Sequence, residues 1–284
     1  MLTLSHLTRR YGSLTAVDDV SLRLPAGARH AVIGPNGAGK TTLLNLVAGT
    51  ARPDSGRILL TPPGCPGEGN PAEGSGTAKA AQAADITRTT AARRSRLGIA
   101  RSYQQPSVIA GLSVLDNVVL AAWRHHREGR AAWRRPSAGR RLRETALAGL
   151  ETVGLAGLAD RQAGELSHGQ RRMLDLAAAL AGKPRLLLLD EPAAGLTDRD
   201  IGRLVTLLRD IPTDVALLLV EHHIEVVTAL ADTVTVLAAG RVLVSGGTRD
   251  ALARPEVREI YLDAVPASAE TPAGCSAPPT GPRG

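Results

Sequence analysis

The amino-acid sequence predicts an α/β fold whose parallel sheet carries the functional site at the carboxyl ends of its strands. Three apolar runs predict the strands of this sheet, at Arg29–Ile33, Arg185–Leu189 and Val215–Val220. Each run leads into a loop rich in Gly, Pro, Asp or His, and a helix-like segment follows. Strands that alternate with helices build parallel sheets, which bind ligands beyond the carboxyl ends of the strands. Before residue 60, alternating stretches such as Val20–Leu24 predict an additional antiparallel layer.

The pattern along the chain indicates one domain over residues 1–265. Its core is expected to comprise residues 1–105 and 165–265, which contain the three predicted strands. The residues between, 106–164, are mostly helical in pattern. We expect them to form an inserted helical subdomain.

Two segments have compositions that do not support a packed core. Residues 61–84 are dominated by Gly, Pro, Ala and Ser, with hardly any branched apolar side chain. Residues 266–284 are similarly rich in Pro, Ala and Gly. Such segments cannot bury enough apolar surface to offset the entropy of ordering. We therefore expect a flexible surface insertion at 61–84 and a disordered tail at 266–284.

The amino-acid composition argues against nucleic-acid binding and against a membrane-spanning protein. The formal net charge is +7, but aromatic residues make up only 2% of the chain and phenylalanine is absent. Proteins that bind single-stranded nucleic acid stack bases on aromatic side chains, so a nucleic-acid partner is not expected. The longest apolar runs are far too short to cross a bilayer, and the first residues do not resemble a secretion leader. A cytoplasmic location is therefore expected.

A phosphate-binding loop follows the first predicted strand. Eight residues fit the pattern G-x-x-x-x-G-K-[ST], namely Gly34, Pro35, Asn36, Gly37, Ala38, Gly39, Lys40 and Thr41. Thr42 opens the helix-like segment that follows and belongs to the same nucleotide-contacting set. The loop N–H groups and the helix start would hold phosphates, with Lys40 at the β- and γ-phosphates and the Thr41 hydroxyl on Mg²⁺. The motif predicts ATP and Mg²⁺ as ligands; the alternative is a glycine turn before a helix.

Two acids end the second predicted strand. The run Leu186–Leu189 is followed at once by Asp190 and Glu191. Asp190 is suited to a water-mediated contact with Mg²⁺, and Glu191 can act as the general base toward an attacking water. Solvated acids at a strand end are the alternative, which is less favoured once the phosphate-binding loop is present.

A third motif makes the chain resemble the ABC ATPases. The stretch Leu166–Gln170 is similar to that family's signature loop, with His168 in the third position. Ser167 can also act as an ordinary helix N-cap, and the two interpretations are compatible. The resemblance implies a P-loop NTPase (RecA-like) core with an antiparallel β subdomain and an inserted helical subdomain. It also implies that Ser167, Gly169 and Gln170 contact the γ-phosphate held by a partner subunit.

Other family elements occur in the expected order, and the resemblance covers roughly residues 2–263. Tyr11 corresponds to the aromatic residue that stacks on adenine, although such a tyrosine can equally be a half-buried strand residue. Gln104 corresponds to the glutamine that joins the Mg²⁺ and γ-phosphate site to the helical subdomain, with Gln105 as the neighbouring alternative. His222 corresponds to the switch histidine at the γ-phosphate. One departure is Thr197, where most members carry Asp in the D-loop, so coupling across the dimer through that position is in question.

Three stretches resemble a narrower group, the ATPases of bacterial importers for branched-chain amino acids and related amides. They are Leu97–Gln104, Asp190–Leu196 and Pro255–Leu262. This resemblance implies a location on the cytoplasmic face of the membrane and three kinds of partner. These are integral-membrane permease subunits, a second ATPase subunit of the same or another kind, and indirectly a substrate-binding protein. The alternatives are the ATPase of an ABC exporter, a soluble ABC ATPase without a transport role, or a nucleotide-binding scaffold without hydrolysis.

Overall fold

Two β-sheets organise the fold in the computed structural model, which describes residues 1–61, 83–125 and 136–262. In chain order the strands are β1 (Leu2–Tyr11), β2 (Leu14–Leu24), β3 (Arg29–Ile33), β4 (Ser55–Leu60), β5 (Ala84–Asp85), β6 (Ile99–Ser102), β7 (Leu186–Asp190), β8 (Ala216–Val220), β9 (Thr233–Ala238) and β10 (Arg241–Gly247). The helices are α1 (Lys40–Ala48), α2 (Ala91–Arg96), α3 (Val114–His125), α4 (Pro136–Thr152), α5 (His168–Ala181), α6 (Asp198–Arg209), α7 (Ile224–Leu230), α8 (Thr248–Leu252) and α9 (Pro255–Leu262). Short 3-10 helices occupy Ala156–Leu158 and Ala163–Glu165.

The first sheet is antiparallel, with the strand order β2-β1-β4-β5. Along β2 the buried residues Val20, Leu22 and Leu24 alternate with exposed ones, as expected for a sheet with one covered face. These side chains share a core with leucines of α1, including Leu43 and Leu46. The antiparallel layer predicted from the alternation is therefore confirmed, and it covers the helix that follows the phosphate-binding loop.

The second sheet has the order β10-β9-β3-β8-β7-β6, and all its neighbours are parallel except β10 with β9. Every residue of β7 and β8 is buried, because helices cover both faces. The predicted α/β fold is confirmed. Two strands begin one residue later than predicted, since Arg185 and Val215 still hydrogen-bond to the loop residues Gly98 and Pro212.

Three helices pack together on one face of the parallel sheet, in a cluster that includes leucines of β7 and β8. Val118 of α3, Leu150 of α4 and Leu174 of α5 are fully buried in it. Helices α3 and α4 come from the predicted helical stretch, whereas α5 begins after it, at His168. Helix α5 thus packs on the helical region while its sequence runs directly into β7. The subdomain boundaries given above stay a prediction.

Several predicted segments fall outside the described residues. The insertion at 61–84 does so for residues 62–82, although its last residue, Ala84, pairs with Leu60 in the antiparallel sheet. The tail at 266–284 lies entirely outside them. In the part of the chain that is described, no helix combines the length and the apolar content needed to cross a membrane.

Candidate active site

The phosphate-binding loop joins β3 to α1 and is pressed against two neighbouring strands. Gly39 has a φ of 97°, and a Cβ there would lie 2.1 Å from the carbonyl oxygen of Ala16. At Gly34 a Cβ would lie 2.1 Å from the carbonyl oxygen of Leu237. Both positions therefore require glycine. Helix α1 begins at Lys40, two residues earlier than predicted, and no side chain caps it, so its first N–H groups face the loop.

The side chain of Lys40 is buried against the backbone of the phosphate-binding loop. Lys40 is 5% exposed, and its Nζ donates to the carbonyl oxygens of Gly34 at 2.7 Å and Pro35 at 2.9 Å. Burial lowers the pKa of Lys40, while Glu191 and Asp190 act in the opposite direction. The two acids therefore lie close enough to the ammonium group to interact with it, as a shared phosphate site requires.

Asp190 ends β7 and connects the phosphate-binding loop to β6, the strand that precedes Gln104. It is 2% exposed, and its Oδ1 accepts from the Thr41 hydroxyl at 3.4 Å. Its Oδ2 accepts from Nη2 of Arg101 at 3.0 Å. Arg101 also donates to Oδ1 of Asn45 at 2.6 Å, on α1. The predicted neighbours Thr41 and Asp190 are thus brought together, and a buried guanidinium balances the carboxylate.

Glu191 lies at the centre of the site. Its Oε1 lies 2.5 Å from Nε2 of His222, and its Oε2 accepts from Nε2 of Gln104 at 2.9 Å. The residue has a φ of 48°, and its N–H donates to the carbonyl oxygen of Val220 at 2.9 Å. Three residues predicted from separate motifs therefore meet at one carboxylate. Of the two adjacent glutamines, it is Gln104 whose side chain makes this contact.

The residues predicted to hold Mg²⁺ fit that ion in the type of atom they offer. Mg²⁺ is bound by oxygen ligands, commonly by one or two protein groups together with substrate phosphates. Thr41 offers a hydroxyl, Asp190 a carboxylate and Gln104 an amide oxygen, and the first two already lie within 3.4 Å of each other. Within residues 1–61, 83–125 and 136–262, no cluster of three or more His, Cys, Asp or Glu could hold a metal ion alone.

Tyr11 lies at the turn end of the β1–β2 hairpin and is 46% exposed. It pairs with Leu14, two residues before Ala16, whose carbonyl oxygen abuts Gly39. The guanidinium of Arg9 lies 4.7 Å from the ring centroid. The predicted adenine-stacking residue is therefore an accessible aromatic ring in the hairpin whose second strand abuts the phosphate-binding loop.

The signature residues form a second group, at the start of α5. Ser167 is its N-cap, since its hydroxyl accepts from the N–H of Gln170 at 3.3 Å and its own N–H donates to the Gln170 side chain at 2.9 Å. The predicted cap is confirmed. A Cβ on Gly169 would lie 3.1 Å from Oδ2 of Asp200, so this loop adjoins the start of α6. Thr197 caps α6 by accepting from the N–H of Asp200 at 3.3 Å, which gives this atypical D-loop residue a local structural role.

The comparisons with known proteins agree with this arrangement. Residues 17–194 match the family described as ABC transporter. The matched range contains the phosphate-binding loop, Gln104, the signature residues and Glu191, whereas His222 lies beyond it. The protein belongs to the ABC transporter family. It is an ATPase of the ABC type.

Relatives within the family align over nearly their whole length. The chain is 32% identical to the high-affinity branched-chain amino acid transport ATP-binding protein BraF of Pseudomonas aeruginosa, over 92% of this chain and 97% of that protein. It is 32% identical to a probable branched-chain amino acid transport ATP-binding protein, LivG, of Archaeoglobus fulgidus, over 93% and 96%. Among solved structures, the ADP conformation of an ATP-binding cassette of an ABC transporter superposes with a TM-score of 0.73 at 26% identity, covering 92% of this chain and 98% of that one.

Two residues of this ABC ATPase site escaped the sequence reasoning. In the sequence, Arg101 is one residue of the stretch Leu97–Gln104, and nothing there indicates that it forms an ion pair with Asp190. Glu221, which directly precedes His222, is fully buried. Its carboxylate accepts from the N–H groups of Ala193 and His222, both at 2.8 Å, and thereby holds the switch histidine against the D-loop. The only available signal was a charged residue at the end of an apolar strand, where burial is costly unless the charge is paired.

Proposed function

We propose that this chain is the Mg²⁺-dependent, ATP-hydrolysing subunit of an ABC importer for branched-chain amino acids or related amides. The observation that carries hydrolysis is the placement of the Glu191 carboxylate between His222 and Gln104, at the end of the strand that presents Asp190. A general base must be held within hydrogen-bonding reach of the nucleophile with its lone pairs correctly aimed. Gln104 and His222, from the loops that follow β6 and β8, supply that orientation.

The residues divide the work of hydrolysis. Lys40 and the α1 N–H groups would bind the β- and γ-phosphates, exchanging the carbonyl contacts that Lys40 now makes for phosphate oxygens. Thr41, Asp190 and Gln104 would hold Mg²⁺, which supplies charge neutralisation at the phosphates when bound. Glu191 would take the proton of the attacking water. His222 would move its hydrogen bond from Glu191 toward the γ-phosphate.

The signature residues indicate that a second ATPase subunit is needed. They cap and surround the start of α5 beside α6, and hydrogen bonds join them to one another and not to Glu191 or Lys40 in the described contacts. We infer that they meet the γ-phosphate of a partner's nucleotide. A second copy and a related ATPase both satisfy this requirement.

The substrate class and location rest on the relatives and on the end of the chain. The relatives named above are branched-chain amino acid transport proteins, and the chain covers 96–97% of their length. Helix α9 (Pro255–Leu262) occupies the stretch that resembles the importer group and contains no nucleotide motif. We therefore place the protein on the cytoplasmic face of a membrane, bound to permease subunits that receive substrate from a binding protein.

The test of this function is purification of the tagged protein from detergent-solubilised membranes. We expect integral-membrane permease subunits to copurify. Reconstituted vesicles that enclose ATP, with the ATPase facing the lumen, should accumulate labelled leucine or a short amide from outside. Vesicles of the same composition with Glu191→Gln serve as the control. Copurification with a permease that moves substrate outward would contradict import and favour the exporter alternative. Recovery without any membrane protein would favour a soluble ABC ATPase.

A further inference from the structure

Helix α5 carries a buried arginine directly behind the signature residues. Arg172 follows Gln170 by two positions and is 2% exposed. Its guanidinium donates only to main-chain carbonyl oxygens: Nη1 to Tyr103 at 2.5 Å and to Gln104 at 2.6 Å, Nε to Pro192 at 3.1 Å, and Nη2 to Glu191. A planar fork of donors can satisfy several acceptors in fixed directions, which a lysine ammonium cannot reproduce.

The acceptors of Arg172 lie on two segments whose side chains meet. Gln104 and Glu191 are joined by the hydrogen bond from Nε2 to Oε2, at 2.9 Å. Arg172 therefore fixes the backbone on both sides of the contact that aims the general base. No other described side chain donates to the backbone of both segments.

A second residue of α5 holds the same glutamine segment. Asp175 lies one turn after Arg172 and is 6% exposed. Its carboxylate accepts from the Ser102 hydroxyl at 2.6 Å and from the N–H of Ser107 at 3.0 Å. Residues three apart lie on the same face of a helix. One face of α5 thus contacts the segment around Gln104 at its beginning, middle and end.

The chain offers an internal comparison for a buried arginine with a purely structural role. Arg94 is 1% exposed and donates to carbonyl oxygens of Leu46, Val47, Ile86 and Thr87. Leu46 and Val47 belong to the last turn of α1, where a cation satisfies unpaired carbonyl groups and the helix dipole. Arg94 thus matches Arg172 in burial and in the carbonyl acceptors of its Nη atoms, while its Nε donates to the Thr89 hydroxyl at 3.2 Å. It lies at the end of α1 away from the phosphates.

We propose that Arg172 is a positioning residue for hydrolysis, which ties the helix behind the signature loop to the Gln104–Glu191 pair of the same subunit. The inference rests on the proposed function, because it requires Glu191 to be the base and Gln104 to contact it. In consequence, a shift of α5 changes the position of Glu191 in its own subunit through main-chain contacts.

The test compares Arg172→Lys with the matched control Arg94→Lys. Both retain the positive charge but lose the fork of donors, so both are expected to lower the melting temperature. For Arg172→Lys we expect the dissociation constant for Mg·ATP to stay within about threefold of the parent while kcat falls about 10- to 100-fold, since a small misplacement of a catalytic group has effects of that order. For Arg94→Lys we expect kcat within about twofold of the parent, because its carbonyl acceptors are not those of the site. Assays are run where circular dichroism shows each protein folded, and Arg172→Gln serves as a second variant.

A double mutant distinguishes positioning from general weakening of the fold. If Arg172 acts through Gln104, then Gln104→Ala combined with Arg172→Lys should be no slower than the slower single variant, because coupled residues are not additive. Multiplied losses, or an Arg172→Lys kcat within about twofold of the parent, would overturn the inference. An equal loss of nucleotide affinity and kcat would also overturn it. A parent protein without ATPase activity would instead contradict the proposed function, so the two failures are distinguishable.

Discussion

The hydrolytic cluster around Glu191 and the signature loop differ in how they are built. The cluster is assembled from distant parts of the chain. Its innermost residues are buried, since Lys40 is 5% exposed and Asp190 2% exposed, whereas Glu191 and His222 are half-buried. The signature loop is local and accessible, since Ser167 and His168 are exposed and the loop is held by a capping box between residues three apart. One region is complete in a single subunit as an arrangement of charges. Under the proposed function, the other region offers N–H groups and a hydroxyl to the nucleotide of a second subunit.

Because of this difference, we expect substitutions in the two regions to have different effects. Changes in the hydrolytic cluster should act in each subunit separately, on chemistry or on nucleotide affinity. Changes in the signature loop should leave the affinity of a single subunit unchanged and act on turnover, which requires a partner. Substitutions of Glu191, Lys40, Ser167 and Arg101 test this division, and the largest effect is expected at Glu191.

Glu191→Gln should abolish turnover while leaving ATP bound. Removal of a general base typically costs about 10²- to 10⁴-fold in rate, and the glutamine retains the size of the side chain and leaves the phosphate-binding loop intact. Phosphate release and binding of a fluorescent ATP analogue measure the two effects separately. Glu225→Gln, an exposed acid on α7, is the matched control and should retain the parental rate. Parental turnover in Glu191→Gln would show that another group is the base.

Lys40→Ala should lose nucleotide affinity in the isolated subunit. A hydrogen bond to a charged group contributes about 1.5–3 kcal/mol, which corresponds to roughly a 10- to 100-fold weaker affinity. Isothermal titration with Mg·ATP measures the change directly. The control is the exposed Lys183, whose φ of 47° makes Asn the least disruptive replacement. Affinity that is equal in Lys40→Ala and Lys183→Asn would mean that Lys40 does not contact the phosphates.

Ser167 permits a test that separates the helix cap from the ligand contact. Ser167→Ala removes the cap and should cost about 1 kcal/mol of stability, whereas Ser167→Asp keeps an N-cap acceptor and should retain parental stability. The aspartate nevertheless brings a negative charge toward a phosphate, so turnover should fall at least about tenfold. Affinity for the first nucleotide on a dilute subunit should be unchanged in both variants. Full turnover in Ser167→Asp would remove the signature loop from the nucleotide site.

The smallest expected effect concerns Arg101, which pairs with Asp190 at 3.0 Å. Replacement by Met leaves the buried Asp190 carboxylate without this partner and should lower the melting temperature of the protein without Mg²⁺. The same change removes a positive charge beside the predicted metal site, so half-saturation should occur at about two- to fivefold lower Mg²⁺. Added Mg²⁺ should raise the melting temperature of Arg101→Met more than that of the parent. An exposed arginine, Arg57, replaced by Met is the control; identical Mg²⁺ responses in all three proteins would separate Asp190 from the metal.

The motifs were predictable from the sequence because each depends on neighbours along the chain. The phosphate-binding loop has glycines at positions 34 and 39, where the turn from β3 into α1 gives φ values of 149° and 97° that favour glycine. Ser167 is the N-cap of α5, and Gln170 lies in the first turn of the same helix. The strands before Glu191 and His222, β7 and β8, are apolar apart from Asp190 because helices cover both faces of the sheet. From this local information the sequence determined the fold class and most of the residues proposed for nucleotide chemistry.

The hydrogen bonds that hold these residues in place form between distant parts of the chain and depend on the tertiary structure. Arg101 reaches Asp190 across 89 positions of chain, and Arg172 reaches Tyr103 across 69. The acceptors of Arg172 are backbone carbonyl groups, which every residue possesses and which therefore leave no trace in the sequence. Glu221 is recognisable as a structural acid only once its burial and its bonds to Ala193 and His222 are known. Side-chain chemistry is encoded locally, but the hydrogen bonds that aim it depend on which strands and helices become neighbours, and that is settled only when the chain folds.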